Sequence, residues 1–345
     1  MLVAKMYGKG DMRLEEMPIP EPKQGELLIK VKAVAICGTD IRMFYNGVKE
    51  IDAEHPRILG HEISGVIAKL GKDVKGYSVG DRVAIAPNMG CGTCNQCIKG
   101  DGHLCPEYKA LGINLDGGFA EYCIVPEIGV RSGNVSILDD NISFAEGAIN
   151  EPLSCVCNGF EHANIHPGDN VLVVGAGPIG IMHCALAIMA GGKVFLNDIS
   201  NDRLAKAKEL YPQIITINDS LKESIMNYTN NTGADVIITA CPVPEIQSLA
   251  IELAAIGGRV IFFGGVAQSV ENVPICTNQI HYKQLVVSGT TRASLSQYRK
   301  TLRFISSGVL NVKPIISNEL PLCDIAKGFE MARKGDCIKS VIVMD

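Results

Sequence analysis

From residue 170 to residue 289 the chain alternates apolar strands with helices, and that period leaves few folds open. Asn170–Val174 (NVLVV) is a short continuous apolar run of the kind buried on both faces of a parallel sheet. A glycine loop follows, then a long apolar helix over Pro178–Met189, a second strand at Lys193–Asn197 and a charged amphipathic helix over 202–210. The alternation runs on through ADVIITA and RVIFFGG and ends on LVVSG at 285–289. This predicts an α/β fold with a doubly wound, Rossmann-type parallel sheet.

The loop after the first strand reads Gly175-Ala176-Gly177-Pro178-Ile179-Gly180, a GxGxxG. Alone it is a weak signal. Here an apolar strand precedes it, a helix follows, and Asp198 ends the next strand, which is the context of a dinucleotide site. The glycines permit a tight turn and close approach of backbone to a pyrophosphate, and the helix N-terminus offers unpaired N–H groups to it. Asp198 suits both ribose hydroxyls and repels a 2′-phosphate, so NAD is preferred over NADP. The plainer reading of Asp198 is a strand-end cap. Arg203 sits near the ribose or is a solvated helix arginine.

Before residue 150 the pattern differs. LLIKVKAVAIC (27–37), EISGVIAKLG and YSVGDRVAIAP read as short strands broken by Gly/Asp turns, an irregular β domain or partial barrel. After residue 289 a helix over 298–307 and a closing strand SVIVM point back to that first domain. The expected division is residues 1–154 with 290–345, and 155–289 between them. A chain of 345 residues accommodates two such domains.

The sequence has 13 cysteines. Cys91, Cys94, Cys97 and Cys105 fall in GCGTCNQCIKGDGHLC, a polar, turn-rich loop matching a closed tetrahedral zinc site; an iron–sulfur cluster is the alternative. Cys123, Cys155, Cys157, Cys184, Cys241, Cys276, Cys323 and Cys337 are scattered, and burial as small hydrophobes is their default. A net charge of −5 with no basic tract argues against nucleic acid and anionic membrane as partners. No run of roughly 18 apolar residues appears. The N-terminal segment lacks a signal-peptide core, so a cytoplasmic location is expected.

Cys37 in CGTD, His61-Glu62 in GHE and Glu151 in EPL offer a thiolate, an imidazole and carboxylates, a donor set that suits zinc with one position open. Individually such residues are more often structural than ligands. Together with GDRV at 80–83, the cysteine lobe and GAGPIG at 175–180, they make the chain resemble the zinc-containing medium-chain alcohol dehydrogenases along almost its whole length. Within that family it looks most like the polyol branch of sorbitol, xylitol and galactitol-phosphate dehydrogenases. Glu62 after the histidine, Glu151 before Pro-Leu, the segment NVKPIISNELPL at 311–322 with Phe329-Glu330, and Arg292 carry that likeness. Ala293 departs from it, where an aromatic residue is usual, and so does the longer segment EIGVRSG.

The resemblance implies a GroES-like catalytic domain beside the Rossmann domain, and two zinc ions per subunit, one catalytic and one structural. It implies Cys37 and His61 as ligands, with Glu62 and Glu151 bound to the metal directly or through water. Thr39 is implied as the group that carries the substrate proton outward; Tyr45 and Arg292 are implied at the substrate. The activity implied is NAD-linked oxidation of a secondary alcohol of a polyol or polyol phosphate. Threonine 3-dehydrogenase, butanediol dehydrogenase and simple secondary alcohol dehydrogenase are the alternatives, and a silent NAD-binding protein of the same fold is the non-enzyme one. A homotetramer or homodimer is implied.

Overall fold

A computed structural model describes residues 1–267 and 269–345. The chain forms two compact units, Met1–Ser154 with Arg292–Asp345, and Cys155–Thr291. In the first unit β1 (Leu27–Ala35) leads into α1 (Gly38–Asn46), then β2 (Glu62–Leu70), β3 (Arg82–Ile85), β4 (Tyr122–Val125) and β5 (Val135–Ile137). The helix α2 (Phe144–Ala163) carries the chain across the first boundary. The second unit contains β6 (Asn170–Val174), α3 (Pro178–Met189), β7 (Lys193–Asn197), α4 (Asn201–Leu210), β8 (Ile215–Ile217), β9 (Ala234–Thr239), β10 (Ala254–Phe262) and β11 (Val286–Gly289). The chain then returns through α5 (Leu295–Ser306), β12 (Ile316–Pro321), α6 (Ile325–Lys334) and β13 (Lys339–Val343).

The main sheet of the first unit has the order β5-β3-β2-β1-β13-β12, with β4 also paired to β1. Only β12 and β13 run parallel to each other in it. The β-branched positions Ile29, Val31, Ile63, Ile67 and Val83 alternate inward, where they pack with Phe119 and Phe329. The closing strand β13 pairs Val341 with Ala35 and Val343 with Ala33. Residues near the end of the sequence therefore lie beside the end of β1, where the CGTD segment begins. The segment EIGVRSG folds as a short helix, Glu127–Ser132, which Gly133 ends at φ 81°.

In the second unit all strand pairs are parallel, in the order β8-β7-β6-β9-β10-β11. The apolar run of β6 is buried, as are residues 180–187 of α3. Helix α4 starts one residue earlier than the charge pattern suggests, because Ser200 caps it by accepting from Arg203 N. The second boundary falls at Thr291/Arg292 rather than after residue 289: Thr290 N still donates to Phe262 O at 3.3 Å and stays with the sheet. No helix among the described residues is long and apolar enough to cross a membrane. Burial as the default for scattered cysteines fails at Cys276 and Cys323, which are exposed. Cys276 precedes a short helix and Cys323 sits in a 3-10 turn, outside both apolar cores.

Candidate metal centres and dinucleotide loop

Strand β1 delivers Cys37 to the N-cap of α1 in a reciprocal cap: the thiol accepts from the Asp40 amide, and Asp40 Oδ2 accepts from Cys37 N at 2.9 Å. Asp40 is fully buried, and its other oxygen accepts from Gly60 N at 3.2 Å. Gly60 adopts φ 86°, and a side chain there would meet Phe119 and Val34 at 2.9 Å, so this turn requires glycine. The turn places His61 Nδ1 3.4 Å from Asp40 Oδ1, an ion-pair distance without an aligned hydrogen bond. Burial disfavours the charged form of His61, but Asp40 and Cys37 outweigh it and raise its pKa well above the usual range.

Glu62 opens β2 opposite Ala35 and is fully buried. Lys339, buried at the start of β13, donates from Nζ to Glu62 Oε1 at 2.6 Å. Glu62 Oε2 has no protein partner. Burial pushes the Glu62 carboxyl up to about 7; Lys339 pulls it down and Glu151 pushes it up. Burial opposes the Lys339 ammonium, but Glu62, Cys37 and Glu151 together raise its pKa. Above neutral pH the pair is ionic, and its carboxylate is more basic than an ordinary one, with one oxygen lacking a protein partner.

Among the described residues, donor atoms of Cys37, His61 and Glu62 lie within 4.8 Å of one another. A half-buried thiol, a buried imidazole and a buried carboxylate with an orphaned oxygen fit zinc with an open position. Glu151 stands outside this group but is buried nearby on α2, within electrostatic reach of Glu62. Its neighbour Asn150 donates to Tyr298 O at 3.0 Å. Thr39 Oγ1 accepts from Arg42 Nη2 at 3.0 Å. The Tyr45 hydroxyl donates to Glu330 Oε2 at 3.0 Å, and burial, with Glu330, raises its pKa. Arg292 donates to His103 O at 2.8 Å and stacks on Tyr108.

The sulfurs of Cys91, Cys94, Cys97 and Cys105 also converge within 4.8 Å. Backbone amides point at them: Cys91 N lies 3.3 Å from Cys105 Sγ, and Cys94 N 3.3 Å from Cys91 Sγ. The Thr93 hydroxyl, with amides of the loop, draws the Cys91 thiol down to about 6, while burial lifts Cys97 to about 12. Four sulfurs leave no corner for a substrate, so this centre fits a structural metal.

In the second unit Gly175 has φ 110°, and a Cβ on Gly180 would fall 1.7 Å from Gly175 O. A Cβ on Gly177 meets nothing within 4 Å, so the loop presents an open face there. Pro178 and Ile179 start α3 behind it. Asp198 is buried; its Oδ2 accepts from Ala176 N at 2.7 Å and its Oδ1 from Ser200 N at 2.8 Å. Arg203 Nη1 lies 3.9 Å from the same carboxylate. One carboxylate thus fixes the loop and still has lone pairs toward the open face.

Two family models match the chain, the alcohol dehydrogenase GroES-like domain over residues 23–132 and the zinc-binding dehydrogenase domain over 178–307. An L-threonine 3-dehydrogenase of Bacillus velezensis is 33% identical over 338 residues, covering 96% of this chain and 94% of that protein. The chain belongs to the zinc-binding alcohol dehydrogenase family. A sorbitol dehydrogenase of Bacillus subtilis is 32% identical over 350 residues, 99% of this chain and 97% of its own length. An alcohol dehydrogenase of Escherichia coli CFT073, solved with NADH, superposes with a TM-score of 0.90 at 26% identity, covering 100% of this chain and 99% of that one. Membership makes the protein an oxidoreductase and zinc its metal.

Three residues that shape the site carry little signal in the sequence. Asp40 lies within CGTD, where the motif alone does not show that it orients His61. Asn150 gave no signal of its own. Lys339 had a legible one: a lysine opening the apolar strand KSVIV has to be paired once buried.

Proposed function

We propose that this protein is an NAD-linked, zinc-dependent dehydrogenase that oxidises a secondary alcohol of a polyol, free or phosphorylated, to the ketose. The observation that carries the reading is the buried Glu62 carboxylate, held by Lys339 on one oxygen and unpartnered on the other, beside Cys37 and His61. Cys37, His61 and Glu62 would hold the catalytic zinc, with Glu151 close by; Cys91, Cys94, Cys97 and Cys105 would hold the structural one. When bound, zinc supplies the Lewis acidity that brings an alcohol's ionisation toward neutrality, and NAD supplies the hydride acceptor.

The chain's own residues do the rest. Asp40 orients His61, a carboxylate–imidazole arrangement that strengthens a ligand. Thr39 Oγ1 accepts from Arg42, so its own hydrogen is available to donate and its oxygen to pass on the proton of a substrate hydroxyl. Gly175, Gly177 and Gly180 seat the pyrophosphate, and Asp198 takes the ribose hydroxyls and disfavours a 2′-phosphate. Tyr45 and Arg292 are engaged by Glu330 and His103, so a direct substrate role for either requires leaving those partners.

The test is a zinc count and a substrate panel with NAD. Two zinc ions per chain and turnover of polyols or their phosphates well above short monofunctional alcohols are expected. Preference for L-threonine, which the similarity to a threonine dehydrogenase brings forward, would replace the polyol reading. One zinc and no turnover would favour a silent binding protein. The edge strand β11 leaves Val286 exposed, with Tyr282 exposed just before it. A second copy pairing along this edge gives a homodimer, or a homotetramer built from two; light scattering of Val286→Lys against the parent protein tests it. Thiol-rich metal centres support a reducing compartment, the cytoplasm.

A further inference from the structure

Arg292 is the first residue after the second boundary between the units, and its backbone sits at φ 55°. The other non-glycine residues with positive φ among the described residues are Asp, Asn and Gln. Asn and Asp tolerate this region through short local hydrogen bonds, whereas a long arginine side chain has no such compensation. Something else must hold it there.

Its side chain is engaged by the four-cysteine lobe. The guanidinium donates to His103 O at 2.8 Å and lies over the Tyr108 ring, 3.7 Å from its centre. His103 belongs to the turn Gly102–Leu104, just before Cys105, and Cys105 N closes that turn on Gly102 O at 3.2 Å. Tyr108 N donates to Cys105 O at 3.2 Å. Both of these contacts are thus anchored on the fourth cysteine. On the far side the chain enters a helix within three residues. Ser294 begins α5 with a reciprocal cap to Gln297, and Tyr298 on that helix accepts from Asn150, the neighbour of Glu151.

We propose that Arg292 is a positioning residue through which the metal-loaded cysteine lobe fixes the chain where it re-enters the catalytic unit, and so fixes α5 behind Asn150 and Glu151. The lobe would then do more than order its own loop. This rests on the lobe holding zinc, not on the identity of the alcohol substrate.

Hydrogen exchange of the peptide spanning residues 290–296 in the full-length, zinc-loaded protein is the direct readout. Arg292→Ala removes a charge-assisted hydrogen bond and a cation–π contact, so exchange there should quicken roughly tenfold or more. Tyr108→Leu should give a smaller acceleration. Cys94→Ser should lower the zinc count from two to one and quicken the same peptide. In Arg292→Ala, however, Cys94→Ser should add nothing, because the link is already cut. Reciprocally, Arg292→Ala should weaken zinc retention by the lobe by the factor with which lobe zinc slows exchange. Unchanged exchange in Arg292→Ala, or independent, multiplying effects of Arg292→Ala and Cys94→Ser, would overturn the proposal. If Cys94→Ser does not fold, Tyr108→Leu takes its place in the cycle. A protein that shows this coupling but oxidises no polyol would retain the inference and lose the substrate assignment.

Discussion

Replacing Lys339 by Met removes the ammonium from Glu62 Oε1 while keeping the side chain's apolar length in β13. Both partners are buried, at 4% and 0% exposure, so no solvent replaces the lost charge. With Lys339 present the Glu62 carboxyl stands at about 7. Without it, burial and Glu151 are opposed only by His61, and the value climbs. A carboxyl whose pKa is higher in the folded than in the unfolded state costs stability as pH rises between those two values. In the parent protein that loss is complete near pH 7. In Lys339→Met it continues at about 1.4 kcal/mol per pH unit. Over about two pH units the metal-free variant should fall behind by about 3 kcal/mol, at the low end of the roughly 3–5 kcal/mol seen when one partner of a buried pair is removed. A cation on Glu62 Oε2 would keep the carboxylate ionised in both proteins, so saturating zinc should close most of the gap. The chain has no tryptophan, so urea midpoints are best followed by circular dichroism, with and without chelator, from mildly acidic to alkaline pH. Parallel pH dependence in the metal-free proteins, or a gap that zinc leaves untouched, would refute the reasoning.

Asp40→Asn keeps the shape but not the charge that faces His61 Nδ1, and zinc affinity at this centre should drop roughly 10- to 100-fold in chelator competition while the lobe keeps its metal. Asp198→Ala removes the anion at the end of β7; NAD affinity should fall by about tenfold or more, and the NAD-to-NADP preference should narrow, as read by dinucleotide titration. His183 is buried on α3 against Phe263, and burial lowers its pKa to about 3. The unfolded chain therefore binds a proton below about pH 6.5 that the folded chain refuses, and stability drains away as pH falls through that window at about 1.4 kcal/mol per unit. His183→Leu should flatten the acid limb of the second unit's unfolding; an unchanged limb would assign the loss to other groups.

The second unit was legible as a strand–helix alternation, because a parallel sheet buried on both faces demands continuous apolar runs; β6, α3 and β7 have the predicted limits, while the short strand β8 and the helix at 244–253 gave no signal that was read. The first unit was legible only as short strands. Its order depends on β13 pairing with β1, a contact between residues far apart in sequence that no local pattern encodes. The same distance hid the site's second layer. Cys37, His61 and Glu62 stand out only as a set, through the motifs around them, and the structure brings them together. Lys339 and Asn150 acquire meaning only through partners met after folding. Arg292 is a different case: the family resemblance implies a substrate contact for it, while the left-handed backbone and the lobe's carbonyl that engage it are invisible in one dimension.

The pairing of Lys339 with Glu62 spans 277 residues. At a synthesis rate of about 5–20 residues per second, Cys37, His61 and Glu62 wait roughly 15–60 s on the ribosome before their lysine exists. Throughout that interval the nascent chain carries a half-built, anionic metal trap while the nucleotide-binding unit, contiguous in sequence, has what it needs to fold. A metal ion captured early would stand in for the missing ammonium. The order in which zinc and the final strand arrive thus becomes a property of translation, set by where the gene places one codon.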